Sequence, residues 1–163
     1  MIIQLRVDDR LIHGQVALVW TKELNTPGII VANDGAANNE MQQMTLHMAT
    51  PTGKKLLIRS VDDAIKVFNN PKGKAMRMFA LTNSVQDALK IAQQVPAIEG
   101  INIANVGRFD ESKDDKVKLN NTIMLNQAEL AALKELAQLN IPLFSQVVPS
   151  NTQVTIKNLL KNK

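Results

Sequence analysis

The sequence predicts an α/β fold built on a largely parallel sheet of six or seven strands. Two observations carry the prediction. Short runs rich in Ile, Val and Leu recur along the chain, each followed by a stretch of helical periodicity, and that alternation is how a parallel sheet with crossover helices is written. The runs are also near-continuously apolar rather than alternating, which suits strands covered on both faces. With 163 residues, 45% hydrophobic and 21% charged, the chain can bury a real core and is expected to form one domain over residues 1–163.

The elements follow in order. "IIQLRV" (2–7) reads as the first strand, and the segment from residue 14 to 24 as the helix after it. "GIIVAN" (28–33) is the second strand; "ANDG" after it reads as a turn and helix cap, leading into a helix at about 37–49. "KKLLIR" (54–59) is the third, and Ser60 caps a helix over 61–69. "AMRMFAL" (75–81) is the fourth, followed by a helix over 84–95 with Asn83 or Ser84 as its cap. "GINIAN" (100–105) is the fifth. "VKLNNTIML" and "IPLFSQVV" are strand candidates, with Pro142 suited to a strand start or sheet edge. Between them, "NQAELAALKELAQL" places Leu130, Leu133, Leu136 and Leu139 on one helical face. "PSNTQ" reads as a loop before a short terminal helix.

Composition excludes several function classes. The net charge of +4 comes from scattered lysines and arginines, and with no Tyr, four Phe and one Trp there is no aromatic platform for nucleic acid. No Cys means no disulfide and no thiolate chemistry, and it fits a reducing compartment. With His13 and His47 far apart, zinc is not expected, nor is any other metal. No run approaches the ~20 apolar residues that span a bilayer, and no signal-peptide pattern opens the chain, so a cytoplasmic protein is expected. GxxxxGK[ST], GxGxxG and GxSxG are all missing, which leaves nucleotide binding and serine hydrolysis unsupported.

The informative segment is "DDRLIHGQV" (8–16). It places His13 at the carboxyl end of the first strand, at or just before the first turn of a helix, where unpaired amides and the helix dipole favour an anion. Arg10 offers a planar cation for phosphate oxygens. Asp8 or Asp9 could fix one ring nitrogen and leave the other as nucleophile. Gly14 permits close backbone approach, and the first-turn amides near Gly14 and Gln15 could hold phosphate oxygens. Spacing alone favours a structural or capping role for His13 over a chemical one. His47, among Met44, Leu46 and Met48, reads as structural. In "NVG", Asn105 and Gly107 supply either a tight bend after the strand or a close approach to phosphate.

"RVDDRLIHGQV" resembles the active-site segment of the IIB components of the mannose, fructose and sorbose class of the bacterial sugar phosphotransferase system. The resemblance continues through "IIVANDGAANNEMQQMTLHMATP", "SVDDAI", "INIANVG" and "SQVVP" and so covers essentially the whole chain. It implies an open, mostly parallel sheet with helices on both faces. It further implies that His13 carries the phosphoryl group on Nδ1 and that Arg10 assists transfer. The phosphoryl group would come from a phosphohistidine on a IIA partner and go to a sugar carried by membrane IIC and IID partners. No cofactor is expected, and a homodimer is left open. Where relatives carry a small residue after "NVG", this chain has Arg108 and Phe109, so Arg108 either adds charge near the phosphate or faces solvent. The competing reading is a non-catalytic module of the same fold that binds an anion or phosphorylated metabolite.

Overall fold

The computed structural model describes residues 1–108 and 115–163. Seven strands form one sheet: β1 (Ile2–Asp8), β2 (Gly28–Ala32), β3 (Lys55–Arg59), β4 (Met78–Thr82), β5 (Ile101–Asn105), β8 (Leu143–Ser145) and β9 (Val154–Thr155). Their order is β3-β2-β4-β1-β5-β8-β9, and every pairing is parallel except that of β9 with β8. The helices are α1 (Gly14–Leu24), α2 (Asp34–Ala37), α3 (Glu40–Ala49), α4 (Val61–Asn69), α5 (Pro71–Ala75), α6 (Val85–Gln94), α7 (Gln127–Gln138) and α8 (Ile156–Leu159).

The side-chain period of two along each strand builds two cores. Ile30 and Ala32 of β2 and Met78 and Ala80 of β4 join Val61, Phe68, Ile91 and Leu133 from α4, α6 and α7. Their neighbours Ile29, Val31, Phe79 and Leu81 join Ala17, Trp20, Ala36 and Leu46 from α1, α2 and α3. Helices therefore cover both faces, as the apolar strands require. Ser60 caps its helix as read from the sequence, and of Asn83 and Ser84 it is Ser84 that does so: they accept from Asp63 N and Asp87 N. The structure adds a third cap, Asn126, which accepts from Glu129 N and with Glu129 completes a capping box.

Four boundaries differ from the sequence reading. The helix expected at 37–49 begins at Glu40, where Asn39 caps it, and the stretch read as a turn before it contains a short helix of its own, Asp34–Ala37, capped by Asn33. The fourth strand begins at Met78 because Pro71–Ala75 forms α5, with Asn70 accepting from Lys72 N. Residues 117–125 form not one strand but a separate hairpin, β6 (Val117–Asn120) and β7 (Ile123–Leu125). Asn120 Oδ1 accepts from Thr122 N and Ile123 N at 2.9 and 3.0 Å and so turns the chain there. Of "IPLFSQVV", only Leu143–Ser145 is strand; Gln146 and Val147 continue as a strap described below.

Topology places the site. From the end of β1 the chain leaves toward β2 on one side, whereas from the end of β5 it leaves toward β8 on the other. The crevice at the carboxyl ends of β1 and β5 is thus a topological switch point, where open α/β sheets bind ligands.

Candidate functional site

β1 carries two unlike faces to that crevice. Leu5 and Val7 enter the apolar core, while Gln4, Arg6 and Asp8 project on the α1 side with exposures of only 3%, 1% and 0%. A register shift between Val7 and Asp8 sets Asn105 of β5 beside Asp8. After Asp8 the chain turns sharply: Leu11 N donates to Asp8 O at 2.9 Å, and Leu11 takes a left-handed φ of 57°. A buried leucine in that conformation is strained by about 1 kcal/mol or more, and burial of Leu11 and Ile12 in the α1-side core holds it there. The turn leaves Arg10 exposed and delivers His13 to the N-cap of α1.

His13 makes no side-chain cap. Its ring turns instead to Asp8, Nε2 lying 3.0 Å from Oδ2, with the His13 side chain 24% exposed. The Arg10 guanidinium lies 3.3 Å from the same nitrogen. An ionised carboxylate only accepts, so Nε2 carries a proton, and in the neutral ring Nδ1 carries the lone pair. Arg10 Nη2 is then a close cation and not a donor to that nitrogen. Of the two aspartates the sequence left open, Asp8 orients the ring.

Asp8 is the centre of the arrangement. Oδ2 accepts from Arg6 Nη2, His13 Nε2 and Asn105 Nδ2, each at 3.0 Å, and Oδ1 accepts from Arg10 N at 3.0 Å. Burial alone would raise its pKa. The His13 hydrogen bond, the Arg6 charge and the Arg10 and Asn105 hydrogen bonds outweigh burial and hold it at about 2. Asp9 is different: its Oδ2 accepts from Gly107 N at 2.8 Å, and burial pushes its pKa up. It anchors the loop after β5. Gly107 has φ 72°, and a Cβ there would run into Met124 O, so only glycine fits.

Gly14 and Gln15 are exposed in the first turn of α1, where amides have no intrahelical partner. Val16 N and Ala17 N close the turn onto His13 O. Arg108 is exposed at the end of the described stretch, and Phe109 lies outside the described residues. His47 is exposed on α3. Among the described residues no group of His, Cys, Asp or Glu is placed to hold a metal, and no helix is long and apolar enough to cross a membrane.

The sequence reading missed Arg6, Trp20 and the strap. Arg6 Nη1 donates to Val147 O at 2.9 Å, Trp20 Nε1 donates to the same carbonyl at 2.9 Å, and the guanidinium lies 5.9 Å from the Trp20 ring centroid. Asn102 binds the strap to β5, with Nδ2 donating to Gln146 O at 2.8 Å and Oδ1 accepting from Gln146 N at 3.0 Å. A signal was present: an arginine within a strand covered on both faces must find a partner in the interior.

The arrangement is a partly exposed imidazole with one nitrogen fixed by an ionised acid, beside a guanidinium and a helix N-terminus. Such an arrangement has the chemical parts to act as a nucleophile beside an anion. The family model for the sorbose-subfamily IIB component of the phosphotransferase system matches residues 2–163. The chain belongs to this family. The IIB chain is 57% identical over 162 residues to a probable phosphotransferase enzyme IIB component of Streptococcus pyogenes serotype M6, covering 98% of this chain and 99% of that one. It is 30% identical to the mannose-specific EIIAB component of Escherichia coli K12, covering 98% of this chain and 49% of that longer protein. The solved IIB domain of the sorbose permease from Klebsiella pneumoniae superposes with a TM-score of 0.89 at 32% identity, covering 100% of this chain and 98% of that one. The mostly parallel sheet with helices on both faces is therefore the IIB fold expected from the sequence.

Proposed function

We propose that this IIB chain, as a single domain over residues 1–163, is a phosphocarrier. His13 takes a phosphoryl group from the phosphohistidine of a IIA partner and gives it to a sugar handled by membrane IIC and IID partners. The carrying observation is the hydrogen bond from His13 Nε2 to Asp8 Oδ2, which leaves Nδ1 as the nucleophilic nitrogen. A IIA partner is supported by the name of the Escherichia coli relative, EIIAB. The proposal places the chain in the cytoplasm, at the inner face of the membrane when docked on its acceptor.

In the step, the Nδ1 lone pair attacks phosphorus in line while the donor's N–P bond breaks and its electron pair returns to the donor's ring nitrogen. If the remote nitrogens of both rings keep their protons, one phosphorylated imidazolium is exchanged for another and no proton moves. Asp8 then faces the positive charge that forms at Nε2. Arg10 and the amides of Gly14 and Gln15 hold the phosphoryl oxygens. Because the cradle is exposed, it does not hold the phosphorylated state more tightly than onward transfer allows.

Incubation with a phosphorylated IIA protein tests the proposal. A covalent label that is labile in acid and stable in base is expected. Reversible phosphate binding without a label would instead mark a non-catalytic anion-binding module. Arg10→Ala is expected to slow labelling on the order of 10²-fold while changing the affinity for IIA by less than about tenfold. Loss of affinity alone would make Arg10 a docking residue.

A further inference from the structure

We propose that Arg6 is a positioning residue for phosphoryl transfer, acting through Asp8 to hold the His13 ring in one tautomer and one orientation. The proposal rests on the reading of His13 as the phosphoryl acceptor. Arg6 does not touch the reacting atoms. It is 1% exposed, and its fork has one arm on each side: Nη2 on Asp8 Oδ2 at 3.0 Å, Nη1 on Val147 O at 2.9 Å. The Trp20 ring lies near its carbon centre, and the Trp20 indole N–H shares the Val147 carbonyl. A guanidinium held on three sides in a packed interior has one position, so the oxygen it grips has one position too.

That oxygen is the one His13 uses. Asp8 Oδ2 takes donors from Arg6, His13 and Asn105. Three donors on one oxygen require a carboxylate that stays ionised, yet Asp8 is fully buried and neutral Asn105 brings no charge. Arg6 is the buried cation paired with it. Without that charge, Asp8 would be protonated more readily or would rotate toward its other donors, and nothing would then select Nε2–H over Nδ1–H in the ring. A proton on Nδ1 removes the nucleophile. Stability alone is a weak reason for such a pair, because buried ion pairs are often replaced by packed apolar groups at no loss to the fold.

The test separates positioning from support of the strap. Arg6→Met removes charge and fork; Arg6→Lys keeps the charge; Trp20→Phe removes the other donor to Val147 O and leaves the Arg6–Asp8 pair. Each is read by 15N NMR of the His13 ring and by the rate of labelling from a phosphorylated IIA protein. The native protein is expected to show Nε2–H with Nδ1 unprotonated in its neutral ring. Arg6→Met is expected to mix the tautomers and slow labelling by roughly 10- to 100-fold. Arg6→Lys should recover part of both, and Trp20→Phe should leave the tautomer native and the rate within about twofold. A folded Arg6→Met with native tautomer and rate overturns the proposal, and so does a Trp20→Phe that reproduces its losses. If Arg6→Met does not fold, the tautomer of Arg6→Lys decides: a ring as mixed as that of Asp8→Asn refutes positioning by charge. Absence of any label on the native protein would instead refute the phosphocarrier reading, with the tautomer measurement still bearing on Arg6.

Discussion

His13→Ala is expected to abolish labelling by the phosphorylated donor while leaving the fold in place. The side chain is 24% exposed, makes no helix cap and contributes one of four hydrogen bonds to Asp8. Its removal leaves Arg6, Asn105 and the Arg10 amide on the carboxylate, so the stability loss should be about 1 kcal/mol. The chemical loss should be complete, because no other described residue places an imidazole at this crevice. The other histidine, His47, is on α3. Circular dichroism and thermal melting check the fold, and a label that survives in a folded variant counts against His13.

Asp8→Asn is expected to give the largest loss of stability, about 3–5 kcal/mol, because it leaves Arg6 buried and facing a neutral group. The pH dependence should change with it. The Asp8 pKa is held at about 2 in the folded protein, below its ordinary 3.8. A carboxylate with a depressed pKa contributes stability that is fully present above its unfolded value and is lost as pH falls through its folded value. The window is therefore about pH 4 down to pH 2, with roughly 2 kcal/mol at stake. Asp9 works in the opposite direction: burial raises its pKa, so protonating it on acidification relieves a cost. Denaturant titrations at several pH values should show a steeper acid loss for the native protein than for Asp8→Asn. Parallel curves would mean that Asp8 is not held ionised by its neighbours.

Most of the fold was legible because local rules and burial agree along this chain. The apolar runs at 28–33 and 100–105, the capped helices after Ser60 and Ser84, and the leucine-faced helix from Gln127 to Gln138 lie where pattern and capping put them. Legibility failed where a side chain overrode the run. Asn39 caps α3 and delays its start to Glu40, Asn33 turns the stretch before it into a short helix, and the Asn120 side chain bends an apparent strand into a hairpin. At the candidate site, "DDRLIHG" marks the turn that carries His13, since a strand end followed by a helix N-terminus is written locally. The choice between Asp8 and Asp9 was not legible, because it depends on the register of β5: Asn105 meets Asp8, and Gly107 meets Asp9. Within "IIQLRV" nothing local names the partner of Arg6, because that partner, Val147, lies 141 residues away.

The most direct measurement is identification of the phosphorylated atom by 15N- and 31P-NMR of the ring-labelled chain after reaction with a phosphorylated IIA protein. Phosphorus bonded to Nδ1 of His13, with the proton remaining on Nε2 toward Asp8, is the result this account predicts. Phosphorus on Nε2, or on any other residue, would contradict it.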